Sequence, residues 1–224
     1  MRNWKAVCDE FLASDGVPVK TKSVLKKSLA VVTEAYNRYG SNSIAMSFNG
    51  GKDCLVMLII ILAVSPVPPP LTVYIRAPNS FTEVDNFVKY CAQEYKLTLT
   101  TCEQPMKEAL QTFLNDNPEV KAVFVGIRRA DPWAEDLQFF QDTDHGWPKF
   151  MRIHPVIEWQ YDDIWIFLRH LHLKYCSLYD LGYTSLGSVT STKRNPSLRN
   201  PDGSYSPAYQ LRDPTQERIG RQKK

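Results

Sequence analysis

Ser47-Phe48-Asn49-Gly50-Gly51-Lys52-Asp53-Cys54 is a glycine turn with an apolar segment on either side. Ser43-Ile44-Ala45-Met46, before it, predicts a buried strand, and Leu55 to Leu62, after it, predicts a helix pressed against a sheet. A strand, a glycine turn and a helix N-terminus in that order make an anion site. Glycines let the backbone approach, free N–H groups point at the ligand, and the helix dipole favours negative charge.

Outward from the turn, helical and strand periods alternate. Trp4, Val7, Cys8, Phe11 and Leu12 fall at helical spacing, which Ser14-Asp15-Gly16-Val17-Pro18 breaks. A second helix is predicted from Thr21 to Tyr39, burying Val24, Leu25, Leu29, Val32 and Tyr36, with Gly40 just past its end. Pro66 to Pro70 reads as a stiff loop. Further strands are predicted at Leu71–Ile75, Leu97–Thr100 and Val120–Val125, and helices at Phe81–Tyr95, Met106–Leu114 and Asp162–Leu173. Such alternation implies right-handed crossovers between parallel strands. The expected fold is therefore α/β, a doubly wound, mostly parallel sheet with helices on both faces.

Composition agrees with one such domain: 224 residues, 43% of them hydrophobic, suffice for a proper core. Residues 1–160 are expected to form the nucleotide-binding core, and 161–224 a helical and irregular segment closing over the site. The net charge of +3 is small and mixed in sign, so no nucleic-acid partner is expected. Five scattered cysteines without a CxxC pair fit a reducing compartment, not a disulfide framework. The N-terminus lacks a secretory h-region and the apolar run at 55–64 is short for a bilayer, so a cytoplasmic protein without membrane association is expected.

Ligands of doubly wound sheets sit beyond the carboxyl ends of the strands. There the loop Gly126-Ile127-Arg128-Arg129-Ala130-Asp131-Pro132-Trp133 stands out, because arginine grips phosphate in bidentate fashion and a carboxylate can orient a polar ring or a metal-bound water. The glycine turn is neither a Walker A loop nor G-x-G-x-x-G. It resembles the pyrophosphate loop of ATP pyrophosphatases, with Asn49 and Cys54 departing from its usual first and last letters. Asn49–Cys54, Gly126–Pro132, Trp147–Ile153 and Tyr183–Gly187 in this order resemble eukaryotic FAD synthase (FMN adenylyltransferase), of the PAPS reductase-like, adenine nucleotide alpha hydrolase-like fold. Arg194-Asn195-Pro196, Pro207-Ala208-Tyr209 and Glu217-Arg218-Ile219-Gly220-Arg221 extend the resemblance to the tail.

That resemblance implies transfer of AMP from ATP to FMN, with magnesium held mainly by phosphates and water and no obligate protein partner. Ser47, Phe48, Asn49, Gly50, Gly51, Lys52 and Asp53 would cradle the ATP phosphates, joined by Gly126, with Tyr74, Ile75 and Arg76 beside adenine and ribose. Ile127, Arg128, Arg129, Asp131, Trp147, Met151, Arg152 and Arg221 would line the flavin side. Asn49, Asp53, Asp131, Arg218 and Arg221 are the expected catalytic residues, the last two folding back from the tail.

Purely structural roles are also open to these residues. Gly50-Gly51 can serve a plain turn, Asp53 can be a helix cap, and the basic tail can be a frayed terminus. Trp133, Trp147, Trp159 and Trp165 are, in most cases, expected to be structural rather than flavin-stacking. His170 and His172, two apart on a helix, cannot face one metal. Another pyrophosphate-loop enzyme is an alternative, but PAPS reductase needs a reactive cysteine near its C-terminus, and the last cysteine here is Cys176. A non-catalytic flavin or nucleotide binder is a second alternative, against which stand Lys52, Asp53, Arg128, Arg129 and Asp131 together.

Overall fold

The computed structural model describes residues 2–65 and 69–222, so 66–68 of the expected proline connector and the last two lysines lie outside it. The chain begins with helices α1 (Trp4–Ala13) and α2 (Val19–Tyr39). Then come β1 (Ile44–Ser47), α3 (Lys52–Val64), β2 (Leu71–Ile75), α4 (Thr82–Glu94), β3 (Leu99–Cys102), α5 (Met106–Asp116) and β4 (Ala122–Val125). Two short strands, β5 (Phe140–Asp142) and β6 (Met151–Ile153), precede α6 (Tyr161–His170), and 3₁₀ turns come after it.

The six strands run in the order β3-β2-β1-β4-β6-β5. Every neighbouring pair is parallel except β5 with β6. The expected doubly wound sheet is therefore present, with an antiparallel edge. Its order reverses between β1 and β4, which is where such sheets open a crevice for ligand.

Pleating divides the core. Ile44 and Met46 join a large cluster with α1, α2, α3, α4 and α6, while Ala45 points to the opposite face. There it meets Val73, Val123 and Ala109, Leu110 and Phe113 of α5. Helices thus cover both faces unequally. α3 is buried all round from Cys54 to Ile61, as its uninterrupted apolar run requires, and it fixes the glycine turn against the sheet.

Two of the element ends that differ from the sequence reading have a clear local reason. β3 starts at Leu99 rather than Leu97 because Lys96 turns left-handed (φ +54°) and Leu97 N–H closes the end of α4 on Ala92 O at 2.9 Å. α6 stops at His170, short of Leu173, because His172 is left-handed (φ +50°). β5 and β6 went unpredicted: three residues carry too little alternation to be read. Thr21 lies within α2 as expected, with its hydroxyl on Asp163 at 2.6 Å. All five cysteines are buried and free.

Candidate active site

A cavity of about 650 Å³ opens at the carboxyl ends of β1, β2 and β4, within the roughly 300–1,000 Å³ typical of small-molecule sites. Its lining divides by chemistry. The glycine turn and the tail supply polar groups: Asn49, Asp53, Asp131, Arg218 and Arg221. The face covered by α5 supplies apolar ones: Met106, Leu110, Val123, Val125, Phe150 and Trp147.

The turn is shaped from within. Gly50 takes φ +73°, and a Cβ there would stand 2.9 Å from Val88. Asn49 Oδ1 accepts from Gly51 N–H at 2.9 Å, and Tyr179 Oη accepts from Lys52 N–H at 3.0 Å. These two N–H groups are not free to meet an anion, as the sequence led us to expect. Burial first, then the charge of Asp53, holds the Tyr179 phenol well above its ordinary pKa, so it stays neutral.

Lys52 lines the cavity, but its charge is engaged from within. Only 2% exposed, its ammonium turns onto Glu217 Oε1 at 2.6 Å and Asp53 Oδ2 at 3.2 Å. Arg128, expected to line the flavin side, is buried as deeply. Its Nε stands 2.7 Å from Asp53 Oδ1, and its Nη2 meets the two Glu217 oxygens at 2.6 and 2.5 Å. Lys52, Asp53, Arg128 and Glu217 thus close a ring of two cations and two anions. Buried ions persist only when compensated in this way. Burial opposes ionisation of Asp53, but Arg128 and then Lys52 outweigh it and hold the carboxyl below the ordinary carboxylate range. Asp53 makes these pairs rather than a helix cap; the N-cap of α3 is Gly51.

Other expected residues separate into those the fold brings to the cavity and those it does not. Ser47, Ile75, Gly126, Trp147, Arg152 and the ring of Tyr74 line it. The Tyr74 hydroxyl is committed to Asp85 at 2.7 Å, and Arg76 pairs with Asp85 at 2.9 Å and Glu103 at 3.3 Å. Arg129 staples its own loop through the carbonyls of Glu135 and Leu137 at 2.7 and 3.2 Å. Phe48 is core, and Ile127 and Met151 stand outside the lining. Trp159 and Trp165 are core as expected, but Trp133 is 94% exposed and Trp147 faces the cavity.

Asp131 joins the two halves of the site. Its Oδ2 accepts from Arg128 N–H at 2.9 Å and its Oδ1 from Arg218 Nη1 at 3.1 Å. Arg221 crosses Gly187, where a Cβ would stand 2.5 Å from Nη2, and donates to Leu186 O at 2.8 Å. Burial, then the neighbouring Arg218 charge, lowers the Arg221 pKa. Two arginines that disfavour each other on a cavity wall are relieved by an arriving anion. Through Arg221, the described part of the tail packs onto the site.

Sequence reasoning missed Tyr179 as a partner of the turn, the apolar wall and the role of Glu217. Glu217 carried a signal, since it stands beside the two tail arginines.

Comparison with known proteins agrees with this geometry. The family profile described as the phosphoadenosine phosphosulfate reductase domain matches residues 43–116 and 100–194. A probable FAD synthase of Schizosaccharomyces pombe is 44% identical over 210 residues, covering 88% of this chain and 78% of that one. A probable FAD synthase of Caenorhabditis elegans is 35% identical over 97% of this chain, which spans 44% of that relative's length. The crystal structure of Candida glabrata FMN adenylyltransferase in complex with FMN and AMPCPP superposes with a TM-score of 0.92, at 27% identity and covering 97% of each chain. Sheet order, pyrophosphate loop and relatives concur: the chain belongs to the FAD synthase family, built on the PAPS reductase-like α/β fold.

Proposed function

We propose that this chain transfers AMP from ATP to the phosphate of FMN, giving FAD and pyrophosphate. The observation that carries the reading is the two-chemistry cavity at the switch point. One wall, made by the glycine turn and the paired arginines of the tail, suits phosphates, and the other, apolar and flanked by Trp147, suits a flat ring system. The FAD synthase relatives support the same substrates.

The reaction asks little covalent chemistry of the protein. An FMN phosphate oxygen is already deprotonated and attacks the α-phosphorus as the bond to the pyrophosphate oxygen breaks. The protein aligns the two and offsets developing charge. Arg218 and Arg221 offset charge on the phosphates, Asn49 offers its amide NH₂ from the turn, and Asp131 holds Arg218 against the loop after β4. Lys52 acts from inside, through the ring, rather than as a phosphate ligand. Neutral Tyr179 fixes the start of α3. Asp131 and Arg152 are the polar groups we assign to the flavin.

Magnesium would be held mainly by the phosphates of the nucleotide and by water. The described residues contain no group of three or more His, Cys, Asp or Glu side chains able to ligate a metal, and Asp53 and Asp131 are already paired. This donor set fits an ion carried by phosphates and water, with Asp53 as the wall carboxylate a coordinated water would address. Bound there, the ion would supply positive charge against the phosphates. Free cysteines fit a reducing compartment, and we assign the protein to the cytoplasm; no described helix is long and apolar enough to cross a membrane. The test is FAD formation from FMN, ATP and magnesium, with riboflavin as the control lacking the nucleophilic phosphate. Pyrophosphate release indifferent to FMN would overturn the assignment.

A further inference from the structure

The geometry points to Glu217 as a positioning residue for the reaction: its carboxylate clamps the tail to the pyrophosphate loop and so sets Arg218 and Arg221 over the cavity. This rests on the phosphate-binding reading of those arginines.

Three observations carry it. First, Glu217 is the member of the buried ring that comes from the tail. Lys52 and Asp53 belong to α3 and Arg128 to the loop after β4, and Glu217 reaches both cations at 2.5–2.6 Å. The ring is electrically neutral only while the tail is docked. Withdrawing Glu217 would strand two cations that are 2% exposed or less beside a single carboxylate, so the docked arrangement is strongly preferred. Second, the backbone of Glu217 is held as firmly as its side chain. Its carbonyl accepts from Thr184 Oγ1 at 2.6 Å, and Thr184 accepts in turn from Asn195 at 2.9 Å. Third, Arg218, the next residue, has little hold of its own. Its side chain is 37% exposed and meets Asp131 through one pairing of 3.1 Å, in the range where an ion pair stabilises weakly. An arginine so loosely held keeps its place through its neighbour. At the edge of the cavity, Glu217 spends both carboxylate oxygens on Lys52 and Arg128. It acts through the arginines.

The test is a double-mutant cycle. Glu217→Gln keeps the shape and removes the charge. A displacement of about 1 Å in a reacting array costs on the order of 10²-fold in rate, and we expect a loss of that order in kcat with KM for FMN changed by less than about twofold. Because Glu217 works through Arg218, the same substitution in an Arg218→Ala background should cost only a few-fold more. A purely structural carboxylate predicts multiplied losses in the double variant, and that result would overturn the inference, as would wild-type kcat in Glu217→Gln. Where Glu217→Gln does not fold, Glu217→Asp, which keeps the ring neutral and shortens the clamp by one methylene, goes through the same cycle with the same criteria. Wild-type protein run alongside separates the two levels. If it makes no FAD, the phosphate-transfer reading fails; if only the cycle is additive, the positioning role fails.

Discussion

Gly126 is where the end of β4 touches the first turn of α3, and replacing it with alanine tests whether that close approach sets the site. A Cβ built there stands 2.7 Å from Cys54 Sγ, 2.9 Å from Cys54 Cα and 3.1 Å from Cys54 N. The thiol can be trimmed, but the Cα belongs to the helix. Moving it from 2.9 Å to the 3.4 Å at which ordinary van der Waals distance begins requires about 0.5 Å of displacement. α3 is buried between sheet and helices, so this shift is resisted. Overpacking of this kind costs about 1–3 kcal/mol, and each kcal/mol lowers Tm by roughly 2–4 °C in a domain of this size. Scaled from about 10²-fold per ångström of misplacement, the shift should cost roughly tenfold in kcat. Thermal melting and steady-state FMN adenylylation read the two effects. Cys54→Ala in the same protein should restore part of each, since it clears Sγ but leaves the helix backbone in the way. Wild-type Tm and kcat in Gly126→Ala would refute the reasoning, and complete recovery in the double variant would refute its backbone half.

Asp131→Ala should remain folded by circular dichroism while losing most activity, about 10²-fold, because it removes the carboxylate assigned to the flavin and leaves the amide of Arg128 without its acceptor; an unfolded variant would make the residue structural. Arg128→Met should destabilise by about 3–5 kcal/mol in chemical denaturation, because it leaves Glu217 and Asp53 to share one buried cation. His154 is buried with Nδ1 on Gln138 O at 2.7 Å, and burial, ahead of the Arg152 charge, lowers its pKa below 6.5. The folded state therefore binds a proton less readily than the unfolded one. Stability should be full above pH 6.5 and fall as pH drops below it, a slope that His154→Gln should flatten if melting is followed against pH.

The glycine turn and the strand–helix alternation were legible because they rest on local chemistry: runs of apolar residues, a φ only glycine adopts readily, a helix that must be buried. Asp131, Arg218 and Arg221 were legible through resemblance, and the fold does gather them. Lys52 and Arg128 show partners that the sequence reading did not foresee, both turning onto Glu217. A cation in a pyrophosphate loop reads as a phosphate ligand until its partner is known, and Glu217 lies 165 residues from Lys52 along the chain. No local pattern encodes that pairing. The apolar wall was hidden for the same reason. Met106 and Leu110 look like ordinary positions on a helix face, and only the crossover that lays α5 beside the open crevice makes them line it. Tyr179 is a third case, a residue beyond α6 that accepts from the first N–H of α3.

The central claim is that this cavity joins AMP to the FMN phosphate. With magnesium, FMN and ATP labelled in turn at the α- and γ-phosphorus, the account predicts that α-label enters FAD stoichiometrically and γ-label leaves in pyrophosphate. FAD carrying γ-label, or α-label released as AMP without flavin, would contradict it.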